Sequence, residues 1–170
     1  MTEAQAPQVR AWIGLGANLG DRGAALARAV QALDAVPATR VAKVSGLYAS
    51  APIDAGGPDF LNAVVELRTG LAPLALLDTL QAIELAAGRE RPYRNAPRTL
   101  DLDLLLYGEQ QQACARLTLP HPRMGERAFV LLPLAEIAPE LVTAAQRKAV
   151  EDQRIERIQG PEWVGLLNGF

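Results

Sequence analysis

Cysteine is nearly absent from these 170 residues: Cys114 stands alone. One cysteine excludes an internal disulfide and a cysteine zinc cluster. Histidine is equally scarce, with His121 the single example. No long hydrophobic run exists. Segments such as Leu104 to Tyr107 and Ala128 to Ala135 are far shorter than a bilayer requires. Excess positive charge is missing too: 17 Lys and Arg against 19 Asp and Glu give −2. That balance excludes a globally basic nucleic-acid binder, but not a local basic patch. Met1 to Gln8 is polar and has no apolar core of the kind a signal peptide needs. The expectation is a cytoplasmic protein, off the membrane and without a nucleic-acid partner.

What is present suits a folded chain. Hydrophobic residues make up 49 % and charged residues 21 %, which argues against disorder. A chain of this size buries roughly 69 % of its unfolded surface, enough for a core without cross-links. Residues 1–8 read as a flexible N-terminal segment, 9–142 as one domain, and 143–170 as a C-terminal extension, helical and docked on it.

Val9 to Leu15 reads as a first strand, and Gly14 and Gly16 as the turn that follows it. Asn18 can cap a helix with Asp21 in its first turn, and Leu26, Val30 and Leu33 recur at helical spacing. Arg40 to Tyr48 alternates like a strand, and Phe60 to Leu67 is strand-like. Ala72 to Ala87 reads as a helix, with Pro73 in its first turn and Gly88 at its end. Thr99 to Tyr107 is a strand, Leu117 to Leu119 is extended, and Ala128 to Ile137 is helical despite Pro133. The order β-α-β-β-α-β predicts an α+β fold, a ferredoxin-like sandwich with helices on one face of a mainly antiparallel sheet.

The sharpest chemical feature is Asp101-Leu102-Asp103. Alternation along a strand puts both carboxylates on one face, while Leu100, Leu102 and Leu104 turn to the core. Two hard oxygen ligands about 7 Å apart suit Mg²⁺ when phosphate oxygens complete its shell. The alternative is a solvated sheet face with two ordinary carboxylates. Between Gly88 and Arg98 stand Arg89, Arg91, Arg94 and Arg98 against one Glu90, four minus one, a local charge of +3. Arginine makes forked contacts to phosphate, although such a loop can also be simply solvated. Gln81 and Glu84 share a helix face beside it. His121 lies between Pro120 and Pro122, a restricted backbone position. The run Gly14 to Gly20 fails the dinucleotide pattern, because its third glycine is one place late and no acidic residue follows at the required distance. No Walker-type phosphate loop occurs.

These residues together resemble the 6-hydroxymethyl-7,8-dihydropterin pyrophosphokinase family of folate biosynthesis, over about Val9 to Val142. The carriers are Gly14 to Asp21, Asp59-Phe60-Leu61-Asn62, Glu84 to Arg89, and above all Ala96-Pro97-Arg98-Thr99-Leu100-Asp101-Leu102-Asp103 with Leu119-Pro120-His121-Pro122-Arg123. The resemblance implies transfer of pyrophosphate from ATP to the pterin hydroxymethyl oxygen; separately, a monomer is the expectation. It implies that Asp101 and Asp103 hold two Mg²⁺ ions and that Arg89 and Arg98 neutralise the transferred group. His121 and Arg127 would touch the phosphates. Gln81, Glu84, Arg91, Leu104, Arg116 and Thr118 would line the nucleotide site. Phe60 and Phe129 would sandwich the pterin ring, with Asn62 and backbone near Ala51 and Ile53 reading its edge. Asn95 stands where some members carry tryptophan, so closure over the nucleotide differs. A ferredoxin-like sheet also serves RNA-recognition modules, but those show aromatic residues where this strand shows Asp101 and Asp103. A regulatory nucleotide binder without turnover is a third reading, against which the complete arginine, aspartate and histidine set argues.

Overall fold

The computed structural model describes residues 8–17, 22–50, 60–88 and 100–166. Its elements are β1 (Val9–Ala17), α1 (Arg22–Asp34), β2 (Thr39–Val44), β3 (Leu47–Ser50), β4 (Phe60–Thr69), α2 (Pro73–Gly88) and β5 (Asp101–Tyr107). They are followed by β6 (Gln112–Ala113), β7 (Thr118–Leu119), α3 (Ala128–Ile137), α4 (Ala144–Ala149), β8 (Ile155–Gln159) and a 3-10 turn over Pro161–Leu166. The main sheet runs β5-β1-β4-β3-β8, with β2 also on β4, and every pairing in it is antiparallel. Two central strands, β1 and β4, are crossed over so that the last core strand, β5, lies beside the first. That is the predicted ferredoxin-like sandwich.

Three expectations change. First, Gly14 and Gly16 form no turn; they lie inside β1, paired to β4 and β5. Glycine inside a strand marks a close approach rather than a bend. Second, Arg40 to Tyr48 is two strands. Ser45 and Gly46 interrupt it, and Ser45 repairs the ladder by bonding Val64 through both its N–H (2.9 Å) and its Oγ (3.0 Å). Third, the helices are not confined to one face. Leu26, Ala27, Val30 and Leu33 of α1 and Leu76 and Leu80 of α2 pack with Ile13, Leu15, Leu102 and Leu104 on one side. On the other side Leu131 and Leu134 of α3 pack with Trp12, Val64 and Leu105. Strand alternation divides the leucines of β5 between the two layers. Burying each such side chain stabilises by about 1.5–3 kcal/mol.

The chain after α3 also departs from a simple helix. Among the described residues after α3, Ala144–Ala149 is the one α-helix, started by a reciprocal Thr143–Gln146 capping box. Ile155–Gln159 joins β3 as an edge strand, with Ser50 opposite Ile155 and Leu47 opposite Gln159. Glu136 of α3 ties this edge down, accepting from Gly46 N (2.9 Å), Tyr48 Oη (2.7 Å) and the Arg157 guanidinium (2.9 Å). Burial and that carboxylate push the Tyr48 hydroxyl up to about 12, so it stays a donor. Trp163 is buried in the first core and donates to the Ser45 carbonyl at 2.8 Å.

Candidate active site

α3 covers only part of its sheet face, and the rest carries the polar residues. Register places Gly16 between Asn62 of β4 and Asp101 of β5, and Gly14 between Val64 and Asp103. Alternation puts all of these on the α3 side. The row from Asn62 to Asp101 therefore has no side chain on its middle strand, and its floor is backbone. A Cβ on Gly16 would lie 3.4 Å from Asn62 Oδ1 and 3.9 Å from a Phe60 ring carbon. Asn62 is buried and donates to Ser50 Oγ at 2.7 Å, which fixes its amide. Asp101 and Asp103 are part-exposed while Leu100, Leu102 and Leu104 are buried, as the alternation predicts.

His121 is held against the outer edge of β5. Its N–H bonds the Leu105 carbonyl at 2.9 Å. Its Nδ1 accepts the Arg123 N–H at 3.2 Å, which leaves the proton of the neutral ring on Nε2. Burial lowers its pKa below the usual 6.5; Asp103 opposes that shift, while Arg127 and Arg123 add to it. His121 is thus beside the second carboxylate. Arg127 lies over the Phe129 ring, 5.4 Å from its centre. Ser50, Arg123, Arg127, Phe129, Gln153 and Ile155 are among the residues that line a cavity of about 450 Å³.

A second group collects on the α2 side of β5. Glu84 Oε2 accepts the Leu102 N–H at 2.7 Å, fastening α2 to the carboxylate strand. Arg116 reaches back to α2, bonding Gln81 Oε1 at 3.3 Å and pairing with Asp78. Thr118 is exposed on β7. The structure thus joins Arg116 to Gln81 on α2, and Glu84 of the same helix to the strand that carries the carboxylates. The Leu104 side chain is in the first core, as strand alternation predicts. Arg89, Arg91, Arg98, Ala51 and Ile53 lie outside the described residues, as do Asn18, Asp21, Arg94 and Asn95.

Sequence reasoning missed the glycine floor, Ser50 and Gln153. The signal for the first was available. Two glycines two positions apart in a strand clear one face, as two aspartates so spaced charge one.

The stretch 12–139 matches the family model described as 7,8-dihydro-6-hydroxymethylpterin-pyrophosphokinase (HPPK). The chain belongs to this family. A Pseudomonas aeruginosa protein named 2-amino-4-hydroxy-6-hydroxymethyldihydropteridine pyrophosphokinase is 51 % identical over 133 residues, 78 % of this chain and 82 % of that one. A Methylorubrum extorquens protein of the same name is 46 % identical over 156 residues, 88 % of this chain and 99 % of that one. Among solved structures, a triple mutant of Plasmodium falciparum HPPK-DHPS superposes with a TM-score of 0.63 at 14 % identity. It is matched over 81 % of this chain, which spans 41 % of that longer chain. At that identity the likeness speaks for the fold alone, and it agrees with the strand order above. Family membership and the acidic face together leave the RNA-recognition reading without support. No helix among the described residues is long and apolar enough to cross a membrane.

Proposed function

We propose that this chain transfers the β,γ-pyrophosphate of ATP to the hydroxymethyl oxygen of 6-hydroxymethyl-7,8-dihydropterin, releasing AMP, as a step of folate biosynthesis. The observation that carries this reading is one continuous row. A buried, oriented amide (Asn62), a bare backbone floor (Gly16) and a carboxylate (Asp101) lie side by side across three strands, and the second carboxylate (Asp103) follows in the next row beside Gly14. A flat heterocycle needs the first two, and a phosphate-bound cation needs the third.

Each group has a proposed task. Asn62 reads the amide edge of the pterin, and Phe60 and Phe129 close on its ring. Ala51 and Ile53 add backbone contacts. Gln81, Glu84, Arg91, Leu104, Arg116 and Thr118 form the nucleotide side, Leu104 through its backbone. His121 donates from Nε2 to a phosphate oxygen, and Arg127 neutralises another. Arg89 and Arg98 do the same for the transferred group.

Asp101 and Asp103 are the residues that would hold Mg²⁺, two ions in the full site. Two part-exposed carboxylates two places apart on one strand face fit that ion. Mg²⁺ takes one or two carboxylates and leaves its other positions to phosphate and water. Once bound it supplies charge neutralisation on the phosphates. Pyrophosphoryl transfer asks little covalent work of a protein; it asks for alignment and charge compensation.

The test is one assay with purified protein, ATP, Mg²⁺ and the pterin, AMP being separated by chromatography. AMP should form only when all four are present. Asp101→Ala and Asp103→Ala should each lower turnover by orders of magnitude while the protein still melts cooperatively. Near-parent turnover in either variant would refute the metal assignment, and pterin-independent AMP would refute the substrate.

A further inference from the structure

The chain beyond the matched stretch lines the cavity with Gln153, Arg154 and Ile155. Gln153 grips the two peptide groups that flank Arg127. Its Oε1 accepts the Ala128 N–H at 2.8 Å, and its Nε2 donates to the Glu126 carbonyl at 2.8 Å. Both partners need it. Arg127 precedes α3 in an extended conformation (φ −126°, ψ 116°) and its own side chain supplies no cap. The Ala128 N–H is one of the first four of the helix, which have no partner within it.

Gln153 is itself anchored. Its N–H bonds the carbonyl of Val150, which is buried in the second core. Two residues later Ile155 pairs with Ser50, whose Oγ orients Asn62. A single amide thus spans Arg127 from both sides, while the Arg127 guanidinium lies on the Phe129 ring. Glutamine combines a donor, an acceptor and this reach in one planar amide. Glutamate would set an oxygen against the Glu126 carbonyl, and asparagine is one methylene shorter.

We infer that Gln153 is a positioning residue for the reaction: it fixes the backbone on both sides of Arg127 and so presents the Arg127 guanidinium to the substrates. The inference rests on the role proposed above for Arg127. Geometry is what it supplies, since displacing a reacting group by an ångström is worth about a hundredfold in rate.

A double-mutant cycle tests it. The parent, Gln153→Ala, Arg127→Ala and the double variant are compared by kcat and KM for both substrates, each after a thermal melt confirms folding. Gln153→Ala should lower kcat/KM about tenfold in the parent. With Arg127 already alanine, the same change should cost less than about twofold, because the residue it acts through is gone. If Arg127→Ala is as active as the parent, the role of Arg127 fails and takes the inference with it. If Arg127→Ala is impaired but Gln153→Ala is not, the inference fails alone. Losses that simply multiply would also overturn it, since they place the action of Gln153 elsewhere. Should Gln153→Ala not melt cooperatively, Gln153→Glu carries the same cycle, keeping the acceptor for Ala128 and losing the donor for Glu126.

Discussion

Replacing Gly16 by alanine should separate stability from catalysis. The residue lies in mid-strand, so an unstrained alanine narrows the unfolded ensemble and stabilises by about 0.5–1 kcal/mol. The new methyl fits the fold: its nearest neighbours would be Asn62 Oδ1 at 3.4 Å and, at 3.9 Å each, a Phe60 ring carbon and the Leu61 carbonyl. These are ordinary contacts. A folded domain of this size gains about 2–4 °C per kcal/mol, so the melting temperature should rise by roughly 1–4 °C. The substrate fares differently. A ring resting on the backbone between Asn62 and Asp101 would be lifted by a methyl standing about 1.5 Å above the chain. A displacement of that size costs about ten- to a hundredfold in kcat/KM, or about 1.4–2.7 kcal/mol. Thermal melts and the AMP assay read the two effects on one preparation. A variant that melts higher and turns over like the parent would remove Gly16 from the substrate floor. A variant that melts several degrees lower would show that the strand does not tolerate the methyl, and the packing argument would fail.

Other consequences are equally direct. Glu66, fully buried, accepts Arg10 through two bonds (3.1 and 3.2 Å) and Arg68 through one (3.0 Å). Burial alone would raise its carboxyl, but Arg10, Arg68 and Lys43 outweigh burial and hold it below the ordinary 4.5. Its contribution is therefore complete above pH 4.5 and lost as pH falls through the lowered value, so Glu66→Gln should flatten the acid limb of a stability-pH curve; an unchanged slope would refute this. Trp163→Ala removes a buried indole and leaves the Ser45 carbonyl without its donor. A loss of about 3–5 kcal/mol should lower the melting temperature on the order of 10 °C, and a shift under about 3 °C would deny the C-terminal turn its place in the core. Arg157→Ala should loosen β8 without touching the carboxylate face, so hydrogen exchange at Ile155–Gln159 should quicken while Mg²⁺ affinity stays; slowed or unchanged exchange would contradict the Glu136 anchor.

What the sequence reveals of the fold depends on how local the determining physics is. Leu26, Val30 and Leu33 announce α1 because a helix carries its pattern within its own turns. β5 is equally plain, since alternation alone sends Leu102 and Leu104 inward and Asp101 and Asp103 outward. β8 is not legible. Ile155 and Ile158 are three apart and suit a helix, and four of its five residues are exposed, so no alternation marks it. Its conformation comes from the free edge of β3, a partner more than a hundred residues away in sequence. The same applies to α3. Val130, Leu131, Leu134 and Ile137 declare a buried helix without naming the face it covers, and that choice follows from where β5 returns beside β1.

The site divides along the same line. Asp101, Asp103 and His121 are readable because chemical type, spacing and proline-restricted backbone are properties of short segments. Gly16 is readable only in part. Its freedom suggests a turn, and its actual use appears once β4 and β5 pair on either side of it and supply Asn62 and Asp101 as neighbours. Gln153 carries no local signal at all, being a polar residue in a charged stretch. It gains meaning because α4 ends at Ala149 and β8 begins at Ile155, which leaves a short connection passing the start of α3. A side chain in that connection can reach the peptide groups beside Arg127, and one with both a donor and an acceptor can hold them both. The carboxylates of the site are thus set by one strand, while the approach to them is set by the crossing of distant segments. For this reason substitutions after Val142, far in sequence from Asp101, are able to change how substrates are held.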